Sequence, residues 1–418
     1  MLSSYLRKLL FLCAPLLILA CGGGSSGTSF TVDEPEPDPD PERILFSGIG
    51  HFGIFDPSIA KAPSDSRFWM SYSYVDPASH HNESQQFGVG VRLAYSDDSG
   101  RSWVDAGVDL VPFEDGLVGP LPNYPQEPVI NANSYGAWNS EVSTLVYDPT
   151  APENERWKLL WHQYLKVNSD EYYFSYGWLA MKMAASPLAL EDATPIKLFS
   201  GIGLRPESEI ATAPAYSPIA GPSAIRLHDG ISASVSPGDV NELSQCVFTE
   251  PSLYATTTAL YLAMDCHDAL DRSISYTPLF KCTSPCDVTV STNWQYLGRV
   301  ASYEDAVAIN RFKLNAPQLL EKQGEHYLIV TPVEDTETHR RYDGCRVYRF
   351  EDIDTATLVR TEGVLEEVQR ITGLENTFHG ACTDHKELNV GIVYGQVNEE
   401  DSPEVFQLFQ SFDSITGL

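Results

Sequence analysis

Three carboxylates recur in one sequence setting. Asp56 lies in FDPSI, Glu141 in NSEVS and Glu250 in TEPSL, each followed two residues later by a serine (Ser58, Ser143, Ser252). Each sits at the opening of a short β-like run. If those runs lie side by side around a common axis, the three side chains meet at one mouth. Like charges brought together raise one another's pKa. One carboxyl can then keep its proton as an acid while another serves as base. Asp-Pro and Glu-Pro also open strands for structural reasons, since Pro tolerates the first strand position and Asp caps the turn before it. Either way, the strands must be arranged so that these positions become equivalent.

The chain provides such an arrangement. Short runs rich in β-branched and aromatic residues, separated by turn signals, recur in sets of four. The first set is DPSIAK, RFWMSYSYV, VRLAYSDDSGRSW and VDAGVDLVP, and the second SEVSTLVYD, RWKLLWHQYL, YGWLAMKMAAS and PIKLFSG. The third is EPSLYAT, TALYLAMDC, ISYTPLFKC and WQYLGRV, and the fourth NAPQLLEK, EHYLIVTPV, CRVYRFED and ATLVRTE. A fifth has only HGACTDH, LNVGIVYGQ and VFQLFQSF. Four-strand units repeated around an axis predict an all-β, five-bladed β-propeller. The hexapeptide LFSGIG occurs in the outer strand of the second set and again at Leu45–Gly50, before the first set. Ile44–Gly50 is therefore expected to complete the fifth blade and close the ring, which removes an open sheet edge. The segment SDDSGRSW (Ser96–Trp103) resembles the Asp-box, a hairpin turn of sialidases and other propellers.

In this setting the carboxylates resemble those of the five-bladed propeller glycosidases, glycoside hydrolase family 43 above all. The resemblance implies Asp56 as general base, Glu250 as general acid and Glu141 as the carboxyl that tunes them, with inversion at the sugar carbon. His379, in the last set, resembles the histidine that helps hold a central calcium in some members. Glu141 in place of an aspartate and the lack of glycine around TEPSL depart from the family pattern. Glu127 competes with Glu141 as the second-blade carboxylate. Glu127, Asn315 and Trp161 are the expected substrate contacts, although of Trp157, Trp161 and Trp178 at least two are expected to pack in the core. The expected partner is a carbohydrate. The alternatives are a non-catalytic carbohydrate- or protein-binding propeller and a sialidase-like enzyme, the latter lacking arginines at blade openings.

Composition sets the compartment. With 57 acidic against 27 basic residues the net charge is −30, which excludes nucleic acid as a partner. Residues 1–20 read as a signal peptide, with Arg7 and Lys8 before an apolar run that ends at Ala20-Cys21. That end resembles a bacterial lipobox, which makes Cys21 the lipidation site and a lipid anchor the contact with membrane. Gly22 after the cysteine implies the outer membrane, the domain facing periplasm or surface. Residues 21–43 read as a Gly/Ser and acidic, Pro-rich tether, and 44–418 as the propeller domain. Six cysteines remain beyond the signal region, with Cys246–Cys266, Cys282–Cys286 and Cys345–Cys382 as the expected disulfides.

Overall fold

The computed structural model describes residues 42–47, 53–76, 88–121, 129–167, 171–200, 239, 243–268, 275–335, 340–342, 344–371, 379–388, 391–397 and 405–411. Strands dominate them, and successive strands pair antiparallel as hairpins, so that each sheet is a meander. Four sheets are continuous in the chain. The first runs from its inner strand Ile54–Ala60 through Phe68–Asp76 and Gly88–Ser96 to Ser102–Val111. The second runs from Tyr135–Tyr147 through Trp157–Val167 and Glu171–Ala184 to Ile196–Ser200, with Glu114–Leu117 added beside the inner strand. The third comprises Cys246–Ala255, Ala259–Asp268, Ser275–Thr283 and Trp294–Ser302. The fourth is built on Lys313–Lys322, Glu325–Asp335 and Cys345–Asp352. A composite sheet joins the two ends of the fold: His379–Thr383, Gly391–Val397 and Val405–Ser411 continue into Glu42–Arg43.

Packing shows why the middle strands are apolar on both faces. Each sheet is covered by a neighbour on either side, and five hydrophobic clusters fill the seams in cyclic order. Trp69 and Leu93 of the first sheet meet Trp161 and Trp178 of the second. Leu160 and Phe199 then meet Phe248 and Phe280 of the third sheet. Tyr261 and Leu279 meet Leu328 and Phe350 of the fourth, and Ile329 and Val347 meet Phe409 of the composite sheet. Finally, Leu388, Ile392 and Leu408 return to Met70 and Tyr72 of the first sheet. This is an all-β propeller fold.

The closing strand lies upstream of the one expected. Glu42 and Arg43 pair with Gln410 and Phe409, and the Ile44 N–H donates to Leu408 O at 2.9 Å. Leu45–Ser47 then leaves that sheet and pairs in parallel with Ser102–Val104 of the first sheet. The reason is the seam: Ile44 is buried in the cluster between the two sheets, and Phe46 meets the Tyr72 ring edge-on at 5.1 Å. Leu198–Ser200, from the second LFSGIG, lies in the outer strand of the second sheet as expected. The expected fourth strand ATLVRTE is also corrected. Thr357–Leu358 makes only a short pairing, Arg360–Thr361 folds onto Val364–Leu365, and the fuller outer strand is Glu367–Ile371.

Two local features brace the frame. In the turn after Gly88–Ser96, Asp98 accepts from Ser102 N (2.9 Å) and Ser102 Oγ (2.6 Å), and Trp103 Nε1 donates to Gly100 O at 3.1 Å. Gly100 takes a left-handed φ of 83° there, which glycine adopts without steric cost. The disulfides are Cys246–Cys266, Cys282–Cys286 and Cys345–Cys382, as expected. The last of them links the fourth sheet to the composite one. No helix among the described residues is long and apolar enough to cross a membrane.

Candidate active site

One bulge recurs in all of the inner strands. The ladder slips between Phe55 and Ser58, Glu141 and Thr144, Thr249 and Ser252, Asn315 and Gln318, and Gly380 and Thr383. At each slip one non-glycine residue has left-handed φ: Asp56 48°, Val142 48°, Glu250 50°, Ala316 47° and Ala381 43°. A β-bulge re-aims the side chain at the extra residue. Asp56 and Glu250 are thus equivalent, as their dipeptides imply. Glu141 is not: it precedes the bulge residue Val142 and matches Phe55, Thr249, Asn315 and Gly380. The composite sheet offers Ala381 at the bulge, not His379 or Gly380.

Left-handed backbone at such residues is costly and persists where neighbours over-determine it. Here the adjoining sheet does so. The Val142 N–H donates to Ser73 Oγ at 3.0 Å, Ala316 N–H to Glu250 Oε2 at 2.6 Å, and Ala381 N–H to Thr331 Oγ1 at 2.8 Å. The Asp56 carboxylate also accepts from Val142 N–H, and from Ser73 Oγ at 3.3 Å. One step further along the strands is a belt of buried hydroxyls. Ser58 Oγ accepts from Leu145 N at 3.1 Å, Ser252 Oγ from Leu319 N at 2.8 Å, and Thr144 Oγ1 donates to Pro251 O at 2.7 Å. The serines that follow Asp56 and Glu250 are therefore latches between sheets.

The three carboxyls lie within electrostatic reach of one another. Burial pushes Asp56 well above its ordinary value, and the charges of Glu141 and Glu250 push it further, against hydrogen bonds from Ser73 and Val142. Burial and Glu250 bring Glu141 up to about 7, against Tyr164 and Lys166. Burial also raises Glu250, opposed by Lys313 and by its two N–H donors. Asn315 Nδ2 donates to Glu250 Oε1 at 2.7 Å, while Lys313 Nζ donates to Asn315 Oδ1 at 2.6 Å and reaches Asp265 Oδ2 at 3.2 Å. Burial works against the Asp265 charge, yet Lys313 and His267 outweigh it and hold this carboxyl low. Lys313 and the two N–H donors thus favour the ionised form of Glu250 against its burial. No cation stands among the groups that set the Asp56 pKa.

In arrangement, the chain is similar to solved glycoside hydrolases. One is an exo-β-1,3-galactanase from Clostridium thermocellum, 12% identical at a TM-score of 0.49, covering 89% of this chain and 61% of that one. Another is a family 117 glycoside hydrolase from the marine bacterium Zobellia galactanivorans, 8% identical at 0.46, covering 90% and 91%. A third is an arabinanase of Bacillus subtilis, 12% identical at 0.42, covering 87% and 97%. This chain thus spans less than two thirds of the length of the galactanase. No protein-family model matches the sequence, and neither does a curated protein.

The other expected contacts fare differently. Trp161 is fully buried in the seam between the first and second sheets and offers no stacking face, because its strand is covered on both sides. Asn315 is buried too, and its amide bonds to Glu250, Lys313 and Tyr342 position the Glu250 carboxyl. Glu127, Cys21 and the side chain of His379 lie outside the described residues. Among the described residues, no group of three or more His, Cys, Asp or Glu is placed to hold a metal ion. Sequence reading missed Lys313 and Asp265. Lys313 precedes Asn315 by two positions on one strand and so shares its face, a signal that was present. Asp265 comes to Glu250 through the pairing of Thr249 with Asp265, which strand spacing alone does not reveal.

Proposed function

We propose that the chain is an inverting glycoside hydrolase acting on a carbohydrate outside the cytoplasm, with the composite sheet as the fifth blade of its ring. The observation that carries this reading is the gathering of Asp56 and Glu250 at equivalent bulges beside Glu141, where Glu141 and Glu250 raise the Asp56 pKa and Glu250 raises that of Glu141. Such a set holds a proton at neutral pH and can also supply a base. Glu250 gives its proton to the departing glycosidic oxygen as that C–O bond breaks. Asp56 takes a proton from the water that forms the new C–O bond on the opposite face, and Glu141 sets how the shared proton is distributed. The three disulfides fit an exported protein, tethered through lipidated Cys21 at an outer membrane.

The test is hydrolysis of a panel of aryl glycosides by the wild-type chain, Asp56→Asn and Glu250→Gln. Turnover by the wild type and its loss in both variants support the reading, and a wild type inert on every sugar sinks it. One observation favours a second reading, a binding propeller: Glu250 and Asp56 already accept hydrogen bonds that hold the next sheet's bulge. Those bonds give both carboxylates a structural use that needs no catalysis.

A further inference from the structure

A cavity of about 560 Å³ lies at the opposite ends of the inner strands, with Ala60, Tyr147, Ala255 and Glu321 among its walls. From Asp56 to Ile59, the first wall residue on that strand, the backbone advances roughly 10 Å at about 3.3 Å per residue. The belt of buried serine and threonine hydroxyls lies between the two levels. The cavity is therefore separate from the carboxylate mouth. Its size falls within the range of about 300–1,000 Å³ common for small-molecule sites.

Its chemistry is balanced. Lys61 pairs with Glu387, Lys386 with Glu321 at 3.6 Å, and Lys322 behind the wall with Asp384 at 2.8 Å. Three cations thus meet three carboxylates. Burial, the first of its causes, holds His385 down to about 4, so the ring is neutral, and its Nδ1 accepts from Glu387 N–H at 3.2 Å. The ring proton then sits on Nε2 as a donor. Half-buried rings complete the wall: Tyr254 is stacked on Tyr261 at 6.3 Å and meets His326 edge-on at 5.8 Å. A site with no uncompensated charge favours neither an anion nor a cation. Ion pairs present donors and acceptors side by side, as hydroxyl groups require, and ring faces cover C–H surface.

We propose that this cavity is a second, non-catalytic binding site for a neutral polyhydroxylated ligand of disaccharide or trisaccharide size. The proposal does not depend on hydrolysis at the carboxylates. Its test is calorimetric titration of the intact Asp56→Asn chain with xylobiose and galactobiose, and with digalacturonate as the charged counterpart. At least one neutral disaccharide is expected to bind, and digalacturonate to bind at least about tenfold more weakly. Tyr254→Ala and His326→Ala should each weaken binding about tenfold, while Tyr254→Phe stays within about threefold. Circular dichroism of each variant confirms that it is folded. Failure of both neutral sugars to bind, preference for digalacturonate, or binding unchanged in both Tyr254→Ala and His326→Ala would overturn the proposal. Binding without turnover in the wild type would defeat the hydrolase reading and leave this one standing.

Discussion

The Ala316 N–H donates to Glu250 Oε2 at 2.6 Å across the seam between the third and fourth sheets, so one carboxylate serves both the candidate site and the packing of the ring. Glu250→Gln keeps an oxygen for that N–H but sets an amide NH2 against Asn315 Nδ2, so it should lower hydrolysis by about 10²–10⁴-fold and cost about 1 kcal/mol of stability. Glu250→Ala leaves the Ala316 N–H unpaired as well, which adds a stability loss of about 1–3 kcal/mol. Activity assays and thermal melts on the two variants separate the roles.

Glu141 makes stability depend on pH. Its pKa is raised in the folded chain to about 7 from an ordinary 4.5, chiefly by burial. The folded state therefore binds the proton more tightly than the unfolded one. This contribution is fully present below about pH 4.5 and is lost as pH rises through about 7. Glu141→Gln removes the penalty, so it should stabilise the chain by up to about 3 kcal/mol at pH 8 and hardly at all at pH 4. Denaturant melts at the two pH values measure the difference, and equal effects at both would refute the assignment.

Asp265 is wholly buried and has Lys313 as its cationic partner at 3.2 Å. Lys313→Met strands that charge and should cost about 3–5 kcal/mol, whereas the double variant with Asp265→Asn should recover much of the loss. A double-mutant cycle by urea unfolding reads the coupling directly. In the folded fraction of Lys313→Met, the pH profile of hydrolysis should move upward, because Glu250 loses the cation that favours its ionised form.

The disulfides should differ in effect. Cys345–Cys382 joins residues 37 positions apart and crosses a seam, while Cys282–Cys286 joins residues 4 positions apart within one hairpin. Loop-closure entropy assigns roughly 4 kcal/mol to the former and roughly 2 to the latter. Paired Cys→Ser variants, compared by chemical unfolding, should fall in that order.

Strand sets were legible because each run carries aromatic and β-branched residues between turn signals, and sheets covered on both faces demand that composition. The equivalence of Asp56 and Glu250 was legible from Asp-Pro and Glu-Pro. The displacement of Glu141 by one residue was not, since a bulge at Val142 leaves no proline to mark it. Trp161 misled because an aromatic in a middle strand reads the same whether it meets solvent or the next sheet. The closing strand was read too late because LFSGIG draws attention to itself, whereas ER, the dipeptide that closes the sheet, has no signature.

The clasp from Glu42 to Ser47 also has a mechanical meaning. Two of its residues hold the last sheet and three hold the first, with Ile44 wedged between them. A pull on Glu42 would enter the fold at the seam between the last sheet and the first. Tension there would load the two-residue pairing with Gln410 and Phe409 first, which makes this clasp the mechanical latch of the fold.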